Sequence, residues 1–315
     1  NGALRLWYNN LISPDASMRN TGFGHREGCN KNQESIGAIA MFEVLKAVII
    51  GIIEGITEWL PISSTGHMIL AEKILNWDMS PAFIEMFRVV IQLGAIMAVV
   101  VLYWNKLFPF SIGKKPHVKK EIVTVWLKII AACLPAAVIG ILFDDEINAL
   151  FYNPATVSIT LIVYGVLFII VENRNKNRTV KIADVPQITY KTALLIGIFQ
   201  VLALIPGTSR SGATILGAIL IGTSRTAAAE FTFYLAVPVM FGASLVKLAK
   251  FGLNFTGSEM AVLLTGLIVA FVTSIGAIKF LVGYIKKHDF KVFGWYRIAL
   301  GCIVLLYFSL EAFVK

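Results

Sequence analysis

Charge is scarce in this chain. Only 15% of its 315 residues are Asp, Glu, Lys or Arg, against about 25% in an ordinary soluble domain. With 57% hydrophobic residues and a mean hydropathy of +0.75, such a chain would expose large apolar patches in water. An ordinary soluble domain, a disordered chain and a collagen-like fibre are excluded. Cysteine is scarce too. Cys29, Cys133 and Cys302 are odd in number and two lie in apolar runs, so no disulfide framework and no zinc-ligand spacing follows. They read as inert. Residues 1–40 lack the basic-then-apolar layout of a signal peptide. They are polar, rich in Asn and Gly, and without a helical period. We expect a disordered extension there, with Met41 as the natural start and His25 and Cys29 outside any site.

Six apolar runs are long enough for the roughly 20 residues that cross a bilayer: 86–104, 123–143, 154–172, 231–249, 260–283 and 293–314. The net charge of +9 does not point to nucleic acid, because the basic residues cluster in short loops between these runs. Loops 105–121, 173–191 and 284–297 carry five, five and four Lys or Arg; loops 71–85, 144–153 and 250–259 carry one, none and one. The first set is expected in the cytoplasm.

Two stretches, 42–75 and 192–222, are apolar but broken by polar residues. Loop charges require 192–222 to start and end inside, and it is too short for two crossings, so a re-entrant hairpin is expected. By analogy 42–75 enters from the outer face. The two stretches resemble each other. Gly51-Ile52, Gly66 and Ile69-Leu70 recur 146 positions later as Gly197-Ile198, Gly212 and Ile215-Leu216, and Glu85 recurs as Glu230 at 145. A chance likeness between apolar helices is the bland alternative. The expected fold is an all-α polytopic membrane protein: six transmembrane helices plus two re-entrant broken-helix hairpins in an inverted-topology repeat. The single membrane domain is 41–315, with halves of about 41–172 and 191–315.

The first break reads Glu54-Gly-Ile-Thr-Glu58-Trp-Leu-Pro61-Ile-Ser63-Ser64-Thr65-Gly66-His67. Glu54 and Glu58 are four apart and share a helix face. Two acids in apolar surroundings are costly, and become tolerable around a hard divalent cation such as Mg²⁺ or Ca²⁺. A solvated helix end is the alternative. Pro61 stops one helix, and Ser63, Ser64, Thr65 and Gly66 open the next with hydroxyls and free N–H groups suited to phosphate; simple capping is compatible with this. His67 is the only histidine near the acids. The second break holds Ser209, Arg210, Ser211, Gly212 and Thr214, and Arg210 is the only charge between Lys191 and Arg225. Its fork suits phosphate oxygens; pairing with Glu54 or Glu58 is the structural alternative. Gln200 stands where Glu54 stands in the first break. Gln92 binds either a ligand or a neighbouring backbone group.

The run from Glu54 to His67, followed by Pro206-Gly-Thr-Ser-Arg-Ser-Gly212, resembles the undecaprenyl-diphosphate phosphatase (bacitracin-resistance) family from Met41 to Lys315. The resemblance implies hydrolysis of undecaprenyl diphosphate to undecaprenyl phosphate and inorganic phosphate, which recycles the carrier for wall polymers and confers bacitracin resistance. It implies a divalent cation, the bacterial plasma membrane with its lipids, a site opening outward, and homodimers. Motif matching makes Glu54 and Glu58 acid and metal-binding residues, Ser64 and His67 catalytic, and Arg210 phosphate-binding. Either Ser64 attacks, activated by His67 or Glu58, or water attacks while His67 protonates the leaving group, or His67 itself forms the phospho-enzyme. The rival reading is a lipid-phosphate transporter or flippase using the same cavity.

Overall fold

The computed structural model describes residues 24–111 and 117–314. The chain divides into two units, Asn1–Phe42 and Glu43–Lys315; both breaks and all the apolar runs fall in the second. The expected extension at 1–40 lies, for residues 1–23, outside the described residues; from Gly24 the backbone is helical.

Helix α1 (Gly24–Thr57) leads to α2 (Ser64–Leu75). Then come α3 (Pro81–Val90), α4 (Gln92–Leu102), the short α5 (Trp104–Leu107), α6 (Lys120–Phe151) and α7 (Pro154–Asn175). The second half holds α8 (Tyr190–Val201), α9 (Arg210–Ile221), α10 (Arg225–Phe251), α11 (Gly257–Ile285) and α12 (Lys291–Val314). Six stretches are long and apolar enough to cross a membrane: Pro81–Leu102, Lys120–Phe143, Pro154–Asn175, Arg225–Phe251, Gly257–Ile285 and Lys291–Glu311. They match the six apolar runs, and their ends extend into polar flanks where the caps lie. Ser80 caps α3 and Asn153 caps α7, each with proline at the first position, where its missing N–H costs nothing. Thr256 and Glu259 close a capping box on α11. The chain is a multi-pass helical membrane protein. On α6 the exposed Leu127, Ile130, Leu134, Val138 and Ile141 form one apolar stripe at helical spacing, a face suited to lipid.

Three helices at the two breaks are short. At 12 residues, α2, α8 and α9 each reach about 18 Å, too little for a hydrocarbon core of about 30 Å. The two breaks share a backbone device. Ser63 caps α2 at φ 73 and accepts from Gly66 N; Ser209 caps α9 at φ 70 and accepts from Gly212 N. These are two of three non-glycine residues with positive φ among those described, and they stand 146 positions apart like the glycines they cap.

Packing exchanges the halves. Helix α1 lies on α11, where Thr273 Oγ1 donates to Gly51 O and Ser274 Oγ to Gly55 O, each at 3.3 Å. Helix α8 lies on α6, and a Cβ on Gly197 would stand 2.2 Å from Ala132 O. Each broken helix therefore seats on the second span of the other half. The third spans, α7 and α12, meet at Gly165 and Gly294, where a Cβ on either would come within 2.7 Å of the other's carbonyl oxygen. Small residues let membrane helices approach this closely.

Candidate active site

Both breaks converge on Glu58. Glu54 and Glu58 are buried, with 1% and 6% exposure, and Glu58 N donates to Glu54 O at 3.0 Å, so the last helical turn sets both acids on one face. Ser64 Oγ, at the start of α2, donates to Glu58 Oε2 at 2.9 Å. Arg210 Nη2, at the start of α9, donates to Glu58 Oε1 at 3.1 Å. Its Nη1 donates to Thr232 O at 2.8 Å on α10. One carboxylate is thus gripped by a hydroxyl from its own break and a guanidinium from the other. The Arg210 guanidinium lies 5.9 Å from the Trp59 ring centre, and Trp59 meets Phe233 edge-on.

The other expected residues divide into two groups. Ser211 Oγ donates to Glu58 O at 3.2 Å and so ties α9 to the first break. Ser63 and Ser209 serve as caps, and Ser209 Oγ lies 3.1 Å from Ser211 Oγ. Thr65 and Gly66 fill the first turn of α2. Thr214 turns to the backbone: its hydroxyl donates to Arg210 O at 2.8 Å and accepts from Thr232 Oγ1 at 2.9 Å. His67 is not joined to Glu58 or Ser64 by any described hydrogen bond. Its Nδ1 faces Ser63 O at 2.8 Å and its Nε2 faces Tyr296 OH at 2.7 Å. A carbonyl only accepts, so Nδ1 carries the proton, and in the neutral ring Nε2 would accept from Tyr296. Gln92 stands half-buried at the start of α4, and no described hydrogen bond links it to either break.

Sequence reasoning missed Arg297. It was counted among four basic residues of the inside loop 284–297, yet it is fully buried in α12. Its Nη1 donates to Pro61 O at 3.3 Å, and its Nη2 to Gly207 O and Thr208 O at 2.9 and 2.8 Å. The loop keeps three basic residues, so the inside bias survives. The signal was present, because Arg297 lies within the apolar run 293–314. Thr232, Trp59 and Tyr296 were also missed; nothing in their spacing marks them.

Buried polar atoms without a described partner collect around the breaks: Glu54 Oε1, Trp59 Nε1, both amide atoms of Gln200, Thr208 Oγ1, and Nε of Arg210 and Arg297. Such atoms are few in folded proteins and mark places for a ligand, ion or water. The donor set fits a hard divalent cation, since Glu54 offers a buried, unclaimed carboxylate oxygen beside Glu58. No group of three His, Cys, Asp or Glu stands together among the described residues. Mg²⁺ often takes only one or two carboxylates and completes its shell with substrate phosphate and water.

Six spans around two broken helices, with acids, hydroxyls and an arginine meeting at the junction, define a multi-pass membrane protein with a buried polar junction. The family model for the bacitracin resistance protein BacA matches residues 47–303, and the chain belongs to that family. An undecaprenyl-diphosphatase of Acetivibrio thermocellus is 68% identical over 268 residues, covering 85% of this chain and 98% of the relative. One of Desulfitobacterium hafniense is 61% identical over 277 residues, covering 88% and 100%. One of Enterococcus faecalis is 60% identical over 271 residues, covering 85% and 98%.

Proposed function

We propose that this chain hydrolyses undecaprenyl diphosphate to undecaprenyl phosphate and inorganic phosphate, and that the reaction takes place where the two breaks meet. The activity is the one its relatives' names carry. The observation that carries the site is the chain Ser64 Oγ–Glu58–Arg210. A hydroxyl donating to a buried carboxylate is a nucleophile beside its base.

The lipid tail stays in the bilayer and the diphosphate enters between α2 and α9. Arg210 leaves Glu58 for the phosphate oxygens, which suit its planar fork better than one carboxylate oxygen. The free N–H groups at the start of α2 receive the remaining oxygens. Ser64 Oγ attacks the terminal phosphorus and its proton passes to Glu58. The bridging P–O bond breaks, and the lipid phosphate departs with that proton. Water then attacks the phosphoserine as Glu58 takes its proton; the Ser64 Oγ–P bond breaks, and Glu58 returns that proton to Ser64 Oγ as phosphate is released. Phosphoryl transfer asks mainly for positioning and charge stabilisation, which the rigid caps supply. Glu54 and Glu58 would hold Mg²⁺ or Ca²⁺, which when bound neutralises charge on the diphosphate. Glu58, not His67, is the base in this reading, because Ser64 donates to Glu58 while both His67 nitrogens face Ser63 and Tyr296.

The same reading makes the breaks re-entrant hairpins of an inverted repeat, with the site opening outward. The matching caps at Ser63 and Ser209 and the exchanged packing of α1 on α11 and α8 on α6 support the repeat; the basic loops support the orientation. Hydrolysis removes the diphosphate lipid that bacitracin sequesters. A transporter needs no hydroxyl aligned on a carboxylate. The test is phosphate release from undecaprenyl diphosphate by purified protein in detergent, with Mg²⁺ and with EDTA. Release that stops with EDTA is expected. No release from folded protein, with lipid phosphate moving across proteoliposomes, would favour transport.

A further inference from the structure

We propose that Arg297 is a positioning residue that locks the two breaks in register, and so sets Ser64 against Arg210. This rests on the reading of the breaks as the phosphatase site.

Arg297 is a cation with no exposure and no carboxylate among its described hydrogen-bond partners. An arginine in a membrane segment is costly and calls for compensation. Here the compensation comes from three carbonyls, and they belong to both breaks. Pro61 lies two residues before the cap Ser63. Gly207 and Thr208 directly precede the cap Ser209. The Tyr164 ring centre lies 5.4 Å from the guanidinium. One side chain on α12 therefore holds carbonyls just ahead of each positive-φ serine.

That placement has consequences for the caps. A trans peptide points its N–H opposite to its C=O. With Thr208 O on Arg297, the Ser209 N–H is turned away from the guanidinium. Residues in the left-handed region cost about 1–3 kcal/mol and persist only where their surroundings fix them; Arg297 holds carbonyls within two residues of that serine at both breaks. Gly212, the residue Ser209 caps, sits against it, since a Cβ there would stand 2.9 Å from Arg297 Nη1. The other ties between the breaks run through Glu58 and Leu60, from Arg210 and Ser211. Arg210 releases Glu58 when phosphate arrives. Within the breaks Arg297 donates to backbone carbonyls only, so it keeps the breaks aligned through that exchange.

The test measures melting temperature, kcat and KM for undecaprenyl diphosphate in R297Q, R297K and G212A, with E58Q and E172Q alongside. Glu172 is buried, pairs with Arg225 and takes no part in either break, so E172Q reports a purely structural loss. Misplacing reacting groups by about 1 Å costs about a hundredfold in rate. R297Q is expected to lower kcat about that much with KM little changed. R297K should regain about tenfold by still donating to two carbonyls, and G212A should lower kcat with the charge intact. E172Q should lower melting temperature and leave kcat per folded molecule alone. If R297Q does not fold, R297K and G212A decide. Arg297 variants that behave like E172Q, or that change only KM, overturn the positioning role while an inactive E58Q leaves the site standing. An E58Q enzyme as active as wild type overturns the site and this role with it.

Discussion

Arg210 of one broken helix donates to Glu58 of the other across 3.1 Å, with both side chains almost wholly buried. The pair joins residues 152 positions apart, and it brings to one point the acid of one half and the cation of the other. A buried pair of this kind is weak as a stabilising device, because desolvation offsets much of the attraction. In the proposed mechanism its value lies in poise: an anionic substrate replaces Glu58 on Arg210 and leaves the carboxylate free to act as base.

Arg210→Lys should therefore behave as a severe change. A lysine keeps the charge and loses the fork that spans Glu58 and Thr232. We expect kcat to fall about 10²–10³-fold, as when an oxyanion donor is removed, with the protein still folded. Steady-state phosphate release checks this, and a fall below about threefold would speak against the clamp.

Glu54→Gln should act on the cation requirement. Gln keeps the shape and removes the carboxylate of Glu54, one oxygen of which has no described hydrogen-bond partner. The Mg²⁺ concentration for half-maximal activity should rise at least about tenfold, while saturating Mg²⁺ restores part of the rate. Titration of activity with Mg²⁺ after chelation reads it. An unchanged titration would remove Glu54 from the metal site.

Tyr296→Phe tests the place given to His67. The lost hydroxyl is hydrogen-bonded to His67 Nε2 at 2.7 Å, and one such bond is worth about 1 kcal/mol net. Activity should drop about fivefold at most. Complete loss would show that the His67–Tyr296 pair takes part in the chemistry itself.

Gly165→Val tests the α7–α12 contact. A Cβ there would stand 2.6 Å from Gly294 O, and overpacking of this sort costs about 1–3 kcal/mol. The melting temperature should fall, and the active fraction with it, with KM unchanged in what remains folded.

Much of this was legible in the sequence, for physical reasons. The spans were, because a bilayer demands about 20 apolar residues at a time. The breaks were, because Pro61, Pro206 and paired glycines interrupt short apolar runs. Glu54, Glu58, Ser64 and Arg210 stood out because intramembrane polar groups are costly. What spacing could not give was partnership. Whether Ser64 faces Glu58 or His67 depends on the left-handed turn at Ser63, which no pattern announces. Thr214 looked like a phosphate donor and proved to be bound to its own helix. Arg297 was hidden by its nearness to a basic loop, since position along the chain does not say which side of the interface a charge lies on.

The most direct measurement is the rate of phosphate release from undecaprenyl diphosphate by purified wild type, S64A and E58Q in detergent with saturating Mg²⁺. The account predicts robust release by wild type and a loss of about 10³-fold or more in each variant, since nucleophile and base act as a unit. Release by folded S64A or E58Q within about tenfold of wild type would contradict it.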